Sequence, residues 1–359
     1  MAKPVVVVTG ISGNLGSRLL PLLGSYSVIG VDVSPPQSDS ELQFEQLDLG
    51  EESSTRKLFE LLRDTHAYAV IHLAFVIDPV RTGVLEIERM WRINVAGTAR
   101  MMEAVTEANR TTDDGVKQFI FPSSVSVYGP NLHDPATEES PLAAHTLPYA
   151  IHKKQSDEVV QQRCTSVRGC SVYILRPHIY AGASVENYLI GAFRGTPGGK
   201  SARAEKMRAE GKRLPCMLPR GQEYLDNKIQ FIHVDDMARL IRHILQREPE
   251  TQRLTVLNVA GRGEPLTFAR CIEMAQAKLM RVPGKWVMEQ VLKFLWSQKI
   301  SSIPPDAVPY MTSEYIMNTD RLRKFLGPEY EHVIRYTTSD AFADSFRTKA
   351  TASNGAAAT

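Results

Sequence analysis

Apolar residues in the first half of the chain come in short unbroken runs. "VVVVTG" (5–10), "SVIGVDVS" (27–34), "AVIHLAF" (69–75), "QFIFPSS" (118–124) and "SVYILRP" (171–177) are rich in Val, Ile and aromatic side chains. Runs that do not alternate with polar residues describe strands covered on both faces. Between them the apolar positions take helical spacing, near 13–23, 54–64, 85–109 and 149–163. Pro21 falls inside the first of these and should kink or shorten it. Strand–helix repetition of this kind predicts an α/β fold with a parallel, doubly wound sheet.

The rhythm breaks after about residue 180. "RGTPGGKSARAEKMRAEGKRLP" (194–215) is rich in Gly, Lys and Arg. "FIHVDDMARLIRHIL" (231–245) reads as a strand, a cap and a helix, and "RLTVLNVAG" (253–261) as a further strand. The pattern from 265 to 346 is mostly helical. The expected division is therefore a first domain over 1–180, with strand and helix returning at about 229–261. A smaller, mostly helical region over 181–228 and 262–346 would bind substrate. The end of the chain, 347–359, is small and polar and is expected to be disordered. "WVMEQVLKFLW" (286–296) carries Glu289 and Lys293, so it is read as an amphipathic packing helix; contact with a membrane surface is the alternative.

Composition narrows the classes. The 359 residues are 43% hydrophobic and 23% charged, with 42 basic against 40 acidic side chains and a net charge of +2. That balance exerts no general pull toward nucleic acid or a membrane surface. Cys164, Cys170, Cys216 and Cys271 form no C-x-x-C pair and have no histidine cluster beside them, so neither a metal nor a disulfide framework is expected. The N-terminal apolar run is too short for a signal segment and leads directly into a glycine motif. Reduced cysteines in a cytoplasmic protein are the expectation.

The first strand ends in "TGISGNLG", which sets Gly10, Gly13 and Gly16 at three-residue steps. Glycines there permit a tight turn and let a pyrophosphate approach the amides at a helix N-terminus, as in a Rossmann-type dinucleotide site. Asp32 ends the next strand, 22 residues after Gly10. A carboxylate at that place accepts hydrogen bonds from ribose hydroxyls and repels a 2′-phosphate, which favours NAD over NADP. Asp48 either touches the adenine edge or caps the following helix. Arg18 is read as a solvated helix residue, with a phosphate contact as the alternative.

"LPYAIHKK" (147–154) places Tyr149 four residues before Lys153 and five before Lys154. On a helix the i+4 residue shares the tyrosine's face, and its charge favours phenolate. Tyr149 therefore pairs with Lys153, and Lys154 points elsewhere. Pro148 suits the first turn of that helix. "FIFPSSVSVYG" (119–129) is a strand that ends in serines, where a doubly wound sheet binds ligands. A serine there would orient a substrate oxygen against the tyrosine. Tyr128 is a second phenol, but its i+4 residue is Leu132 and supplies no charge.

Taken together, TGxxGxxG at 9–16, Asp32, "HLAF" at 72–75, "NVAGT" at 94–98, "SSVSVYG" at 123–129, "YAIHK" at 149–153, "LRP" at 175–177 and "FIHVDDMA" at 231–238 resemble the extended short-chain dehydrogenase/reductase family, in its NAD-dependent epimerase/dehydratase branch. The resemblance runs from about residue 4 to 345. It implies that Tyr149 is the acid/base, that Lys153 lowers its pKa and holds the nicotinamide ribose, and that Ser124 is the active-site hydroxyl. It implies that Asn94 steadies the backbone near the serine. It also implies cofactor contacts from Gly10, Ser12, Gly13, Asn14, Leu15, Gly16, Asp32, Asp48, Leu49, Leu73, Ala74, Ser123 and Pro177. His72 is implied to be structural, and Asp235 and Asp236 to organise a helix start. Pairing of 85–109 and 149–163 across a homodimer, as relatives often show, is the implied assembly.

Four positions depart from the family pattern. Val125 and Ser126 stand where dehydratases carry Asp-Glu, which disfavours elimination. Ile179 stands where nucleotide-sugar enzymes commonly have Asn, and Ile229 where they commonly have Arg. Pro122 precedes the serines and removes a ladder donor. Against these, the basic residues Arg194, Lys200, Arg203, Lys206, Arg208, Lys212 and Arg213 would suit an anionic substrate or simply a solvated insertion. The expected function is NAD-dependent hydride exchange at a secondary alcohol or ketone on a small molecule. A nucleotide-sugar epimerase with tightly held NAD and a non-catalytic dinucleotide-binding regulator are the alternatives.

Overall fold

The computed structural model describes residues 2–36, 42–112, 114–132, 134–249 and 254–347. The tail expected to be disordered lies outside the described residues from 348 onward. Seven strands form one sheet: β1 (Val5–Thr9), β2 (Ser27–Asp32), β3 (Gln43–Gln46), β4 (Ala69–His72), β5 (Gln118–Pro122), β6 (Ser171–Pro177) and β7 (Leu254–Val259). Their order is β7-β6-β5-β4-β1-β2-β3, and every neighbouring pair is parallel. Val7 of β1 lies opposite Ile29 on one side and Val70 on the other. Strand order reverses at β1, so the ligand crevice of such a sheet opens at the carboxyl ends of β1 and β4.

Five helices matter most: α1 (Asn14–Leu19), α2 (Ser54–Asp64), α3 (Gly97–Thr111), α4 (Pro148–Arg163) and α5 (Val234–Leu245). Leu58, Leu62, Met101, Met102, Val105 and Val160 of α2, α3 and α4 pack on one sheet face, against Val7, Ile29, Val70, Phe119 and Ile174. Leu19 of α1 and Leu240, Ile241 and Ile244 of α5 pack on the other, against Val6, Val8, Ile120, Leu175 and Leu257. Each such side chain contributes roughly 1.5–3 kcal/mol on burial, far more than helix propensity differences. Pro21 acts as expected: the α-helical pattern stops at Leu19 and becomes a 3-10 turn over Leu20–Leu22.

Several elements differ from the sequence expectation. β3, "QFEQ", is an exposed edge strand without a buried run to announce it. The single helix expected over 85–109 is three segments, Ile87–Trp91, a π-helical turn over Arg92–Ala96, and α3. The region beyond 180 is not helical alone. Ile179–Ala181 pairs with Phe231–His233, Lys228–Ile229 with Leu266–Thr267, and Cys216–Pro219 with Leu279–Val282. These ladders and their helices enclose a separate core that includes Phe193, Phe231, Phe268 and Phe342. The basic stretch contains a helix, Ala202–Ala209, whose N-cap Ser201 accepts from the Ala204 amide at 3.2 Å.

The strand–cap–helix reading of 231–245 holds in detail. His233 caps α5 by accepting from the Asp235 amide at 3.1 Å. Buried Asp236 accepts from the Arg335 and Tyr336 amides, each at 3.0 Å, and pairs with Arg239. Helix Lys285–Ser297 buries Met288 and Leu292 and exposes Trp286 and Phe294. Among the described residues, no helix is long and apolar enough to cross a membrane.

Candidate active site

The glycine turn fits a bound dinucleotide. Gly10 takes φ +69°, and a Cβ there would lie 2.6 Å from the Ala74 amide nitrogen. A Cβ on Gly16 would collide with the Ile11 carbonyl oxygen. Both positions exclude side chains, so the turn stays narrow and its amides stay open to an anion. Ser12, Gly13 and Asn14 are exposed, and Leu15 is half-buried beside them. The Asp32 carboxylate accepts from the Ser12 amide at 3.0 Å and from the Val33 amide at 2.7 Å. It therefore sits at the rim of the turn. Asn14 reaches across and donates to the Ser184 carbonyl at 2.9 Å.

Asp48 does not cap the helix that follows it. It accepts from the Gly50 amide at 2.8 Å and from Arg89 at 3.1 Å, and α2 is preceded by Ser53 instead. Arg18 faces Asp235 at 3.8 Å. Leu49 is buried against α3's base, where a Cβ on Gly97 would approach it to 3.1 Å. Leu73 and Ala74 border Gly10, and Ala74 donates its amide to the Thr9 hydroxyl at 3.2 Å.

At the carboxyl end of β5, Ser124 is buried and caps a 3-10 turn over Val125–Tyr128. Its hydroxyl oxygen accepts from the Ser126 amide at 3.1 Å and from the Ser126 hydroxyl at 2.9 Å. With both bonds accepted, its own proton is free to be donated toward Tyr149. Burial pushes the Tyr149 phenol up to about 12, and the hydrogen bond from Ser124 opposes the rise. Lys153 lies one turn later on α4 and is buried. Its ammonium donates to the Pro122 carbonyl at 2.6 Å and stands 3.7 Å over the Phe75 ring. Burial pulls it down to about 7, opposed by the charge of Asp157. The Phe75 ring meets the Tyr149 ring edge-on at 6.0 Å. Burial dominates, and Phe75, unforeseen from sequence, contacts both groups. Pro122, without an assigned part in the sequence reading, supplies the carbonyl that holds the lysine.

Asn94, in the π-helical turn, clamps the loop after β4. Its side chain accepts from the Val76 amide at 2.7 Å and donates to the Val76 carbonyl at 3.0 Å. Its backbone carbonyl accepts from Ser156 of α4 at 3.1 Å. It steadies the β4 loop and α4 rather than the serine turn itself.

Other expected residues fall outside this group. The Ser123 hydroxyl donates to Asp157 at 2.6 Å, and Asp157 is paired with Arg176 in the buried interior. Tyr128 donates to Asn258 at 2.6 Å and accepts from Arg176 at 2.9 Å, which removes it as a rival to Tyr149. Both His72 nitrogens are engaged, with Thr9 at 2.8 Å and Thr98 at 3.1 Å, and burial pushes the ring down to about 3. Lys154 points to Glu158 at 3.9 Å. Pro177 ends β6 opposite Val259.

A cavity of about 550 Å³ is lined in part by Tyr188, Ile303 and Met311, the last two packed against the small cluster that Tyr149 also packs against. A larger depression of about 760 Å³ lies by Pro4, Tyr68, Lys117 and Gly169, at the amino ends of the strands and away from the chemistry.

The sequence profile of the NAD-dependent epimerase/dehydratase family matches residues 6–260. UDP-glucose 4-epimerase 2 of Arabidopsis thaliana is 30% identical over 258 residues, covering 66% of this chain and 70% of the relative. The bovine (Bos taurus) UDP-glucose 4-epimerase is 29% identical over 191 residues, covering 48% and 52%. Among solved structures, the Thermus thermophilus UDP-glucose 4-epimerase complex with NAD superposes with a TM-score of 0.64 at 17% identity, covering 96% of this chain and 99% of that one. The Thermotoga maritima UDP-glucose 4-epimerase with UDP-glucose gives 0.64 at 17% identity, covering 95% and 97%. The structural likeness extends the common fold past residue 260, into the region that the family profile leaves unmatched.

Proposed function

The chain belongs to the NAD-dependent epimerase/dehydratase family, and from that premise we propose that it exchanges hydride at a secondary alcohol or ketone carbon with Ser124, Tyr149 and Lys153 as its proton-handling group. The family is one of NAD-dependent enzymes with the extended short-chain dehydrogenase/reductase fold, and NAD is the cofactor. The observation that carries the proposal is the convergence of Ser124 and Tyr149 at the carboxyl end of β5, with Lys153 one turn below, beside the crevice between β1 and β4.

NAD would rest on the turn formed by Gly10, Ser12, Gly13, Asn14, Leu15 and Gly16, with its adenosine ribose at Asp32 and Leu73 and Ala74 alongside. When bound it supplies a carbon that accepts or returns hydride. Tyr149 holds the proton that the substrate oxygen gains or loses. With its pKa near 12 the phenol is protonated at neutral pH, the state that donates to a ketone oxygen. Ser124 keeps its O–H directed at the same place, because Ser126 occupies its acceptor capacity. Lys153 completes the group through the Pro122 carbonyl and contributes positive charge while protonated. Val125 is buried and Ser126 is committed to Ser124, so no second acid stands ready for elimination.

The region beyond 180, apart from the returning α5 and β7, is assigned to substrate binding, because its residues line most of the cavity whose Ile303 and Met311 share a cluster with Tyr149. A homodimer is part of the proposal: Leu85, Ile87 and Trp91 are exposed apolar residues ahead of α3, and Trp91 donates to Gln155 of α4 at 3.0 Å. Four free cysteines suit a reducing, cytoplasmic setting.

A nucleotide-sugar epimerase is the second reading, favoured by the named activity of the Arabidopsis relative. Purified protein with NAD, screened against alcohols, ketones and nucleotide sugars for nicotinamide absorbance, separates the two. Net absorbance change supports the oxidoreductase. Interconversion of UDP-glucose and its C4 epimer without such a change overturns it in favour of the epimerase.

A further inference from the structure

The cavity near Tyr149 has one wall of carbon, with Asp78, Glu186, Arg194, Lys200 and Arg208 elsewhere on its lining. Met217, Met288, Leu292, Leu295, Ile303 and Met311 are among its lining residues, and its volume of about 550 Å³ falls within the range of small-molecule sites, about 300–1,000 Å³. Methionines fill irregular apolar space and adapt to irregular apolar ligands. Two lining residues tie the cavity to the chemistry: Ile303 and Met311 pack, as Tyr149 does, against one small cluster that contains Ala144, Leu147, Ala150 and Ala307.

The two positions where the family resemblance expects polar contacts to a nucleotide-sugar are apolar here. Ile229 is buried in the separate core, and Ile179 pairs with Phe231 in the adjoining ladder. Two of the three cations on the cavity wall, which also carries Lys200, already serve backbone carbonyls. Arg194 donates to the Ser345 and Val185 carbonyls, the latter at 3.2 Å. Arg208 donates to the Pro197 and Gly199 carbonyls at 2.6 and 2.8 Å. Recruiting either to a phosphate would strip buried carbonyls of their partners. Polar demand near the tyrosine is small and local. The Tyr315 hydroxyl is buried without a hydrogen-bond partner, and that of Tyr180 likewise, which suits one or two oxygens on the reacting end.

We infer that the substrate is an apolar secondary alcohol or ketone, its ring or chain body seated in the methionine-lined cavity and its oxygen at Tyr149, and that it carries no nucleotide diphosphate. This rests on the oxidoreductase reading above and adds the substrate class to it.

Gly191 gives a clean obstruction. It lines the cavity from helix Tyr188–Arg194, and a Cβ there meets no atom within 4 Å. Gly191→Phe therefore fills the space without burying a polar group, and Gly191→Leu is a smaller second obstruction should the first fail to fold. The probe is N-phenyl-1-naphthylamine, a neutral fluorescent hydrocarbon-like amine, titrated into the protein–NAD complex. Saturable binding to the wild type, weakened tenfold or more in either variant, with NAD affinity by calorimetry within twofold, is the expected result. Probe binding unchanged in both variants overturns the inference. So does UDP-glucose binding to the NAD complex at micromolar Kd. Neither readout uses turnover, so a failed activity screen sinks the oxidoreductase reading alone.

Discussion

Ser123 gives its hydroxyl proton to Asp157 at 2.6 Å, so the first of two adjacent serines is tied into the buried Asp157–Arg176 pair while the second faces Tyr149. The two serines should therefore fail differently. Ser123→Ala removes a bond to a buried carboxylate and should cost about 1.5–3 kcal/mol in urea unfolding, with kcat within threefold of wild type. Ser124→Ala leaves the buried Ser126 amide and hydroxyl without their acceptor, so it should cost a comparable amount, about 1–3 kcal/mol, but it should also reduce kcat about a hundredfold or more. Equal losses of kcat in the two variants would show that Ser123 works on the cofactor side, as the family resemblance implied.

Tyr149→Phe keeps the ring that packs on Phe75 and removes only the proton carrier. Turnover should fall by about 10²–10⁴, the ordinary worth of a positioned acid/base. NAD affinity by calorimetry should stay within twofold, because the dinucleotide turn is built from other residues. Activity near wild type would remove Tyr149 from the mechanism.

What could be read in the sequence follows from which signals are local. β1, β2, β4, β5 and β6 were legible because strands covered on both faces must be apolar throughout. β3 was not, because "QFEQ" is an edge strand with mostly exposed side chains. The i+4 geometry of α4 correctly turned Lys154 out toward Glu158 and Lys153 inward. The same helix hides its importance from periodicity, since its buried face includes His152, Lys153, Ser156 and Asp157 rather than apolar residues alone. Asp157, Arg176, Tyr128 and Asn258 form one buried network from four distant stretches, and no local pattern joins them. Phe75 was visible only as the last letter of "HLAF". Its contact with both Tyr149 and Lys153 depends on how β4 and α4 meet in space.

Asp32 stands at the rim of the glycine turn, held by the Ser12 and Val33 amides. A carboxylate at that place would repel a 2′-phosphate. Asp32→Ala should weaken NAD by about tenfold, near 1.4 kcal/mol, and weaken NADP less or even strengthen it. Competition binding of the two dinucleotides reads the ratio directly. An unchanged ratio would take Asp32 out of the specificity assignment.

Lys153 links the site to stability. Burial lowers its pKa from 10.5 to about 7, with Asp157 opposing. Between those values the unfolded chain carries a proton on this lysine that the folded chain has lost. Stability therefore rises with pH across that window, and the cost of burying the charge is fully present below about pH 7. Lys153→Met replaces the ammonium with an apolar group and removes the slope. The stability advantage of the variant over wild type should be largest near pH 6. It should shrink by at least about 1.4 kcal/mol, one pKa unit's worth, by about pH 9.5. Urea midpoints for both proteins at the two pH values measure the change. Parallel curves would mean that Lys153 keeps its proton through the whole window, held by Pro122, Phe75 and Asp157 against the pull of burial.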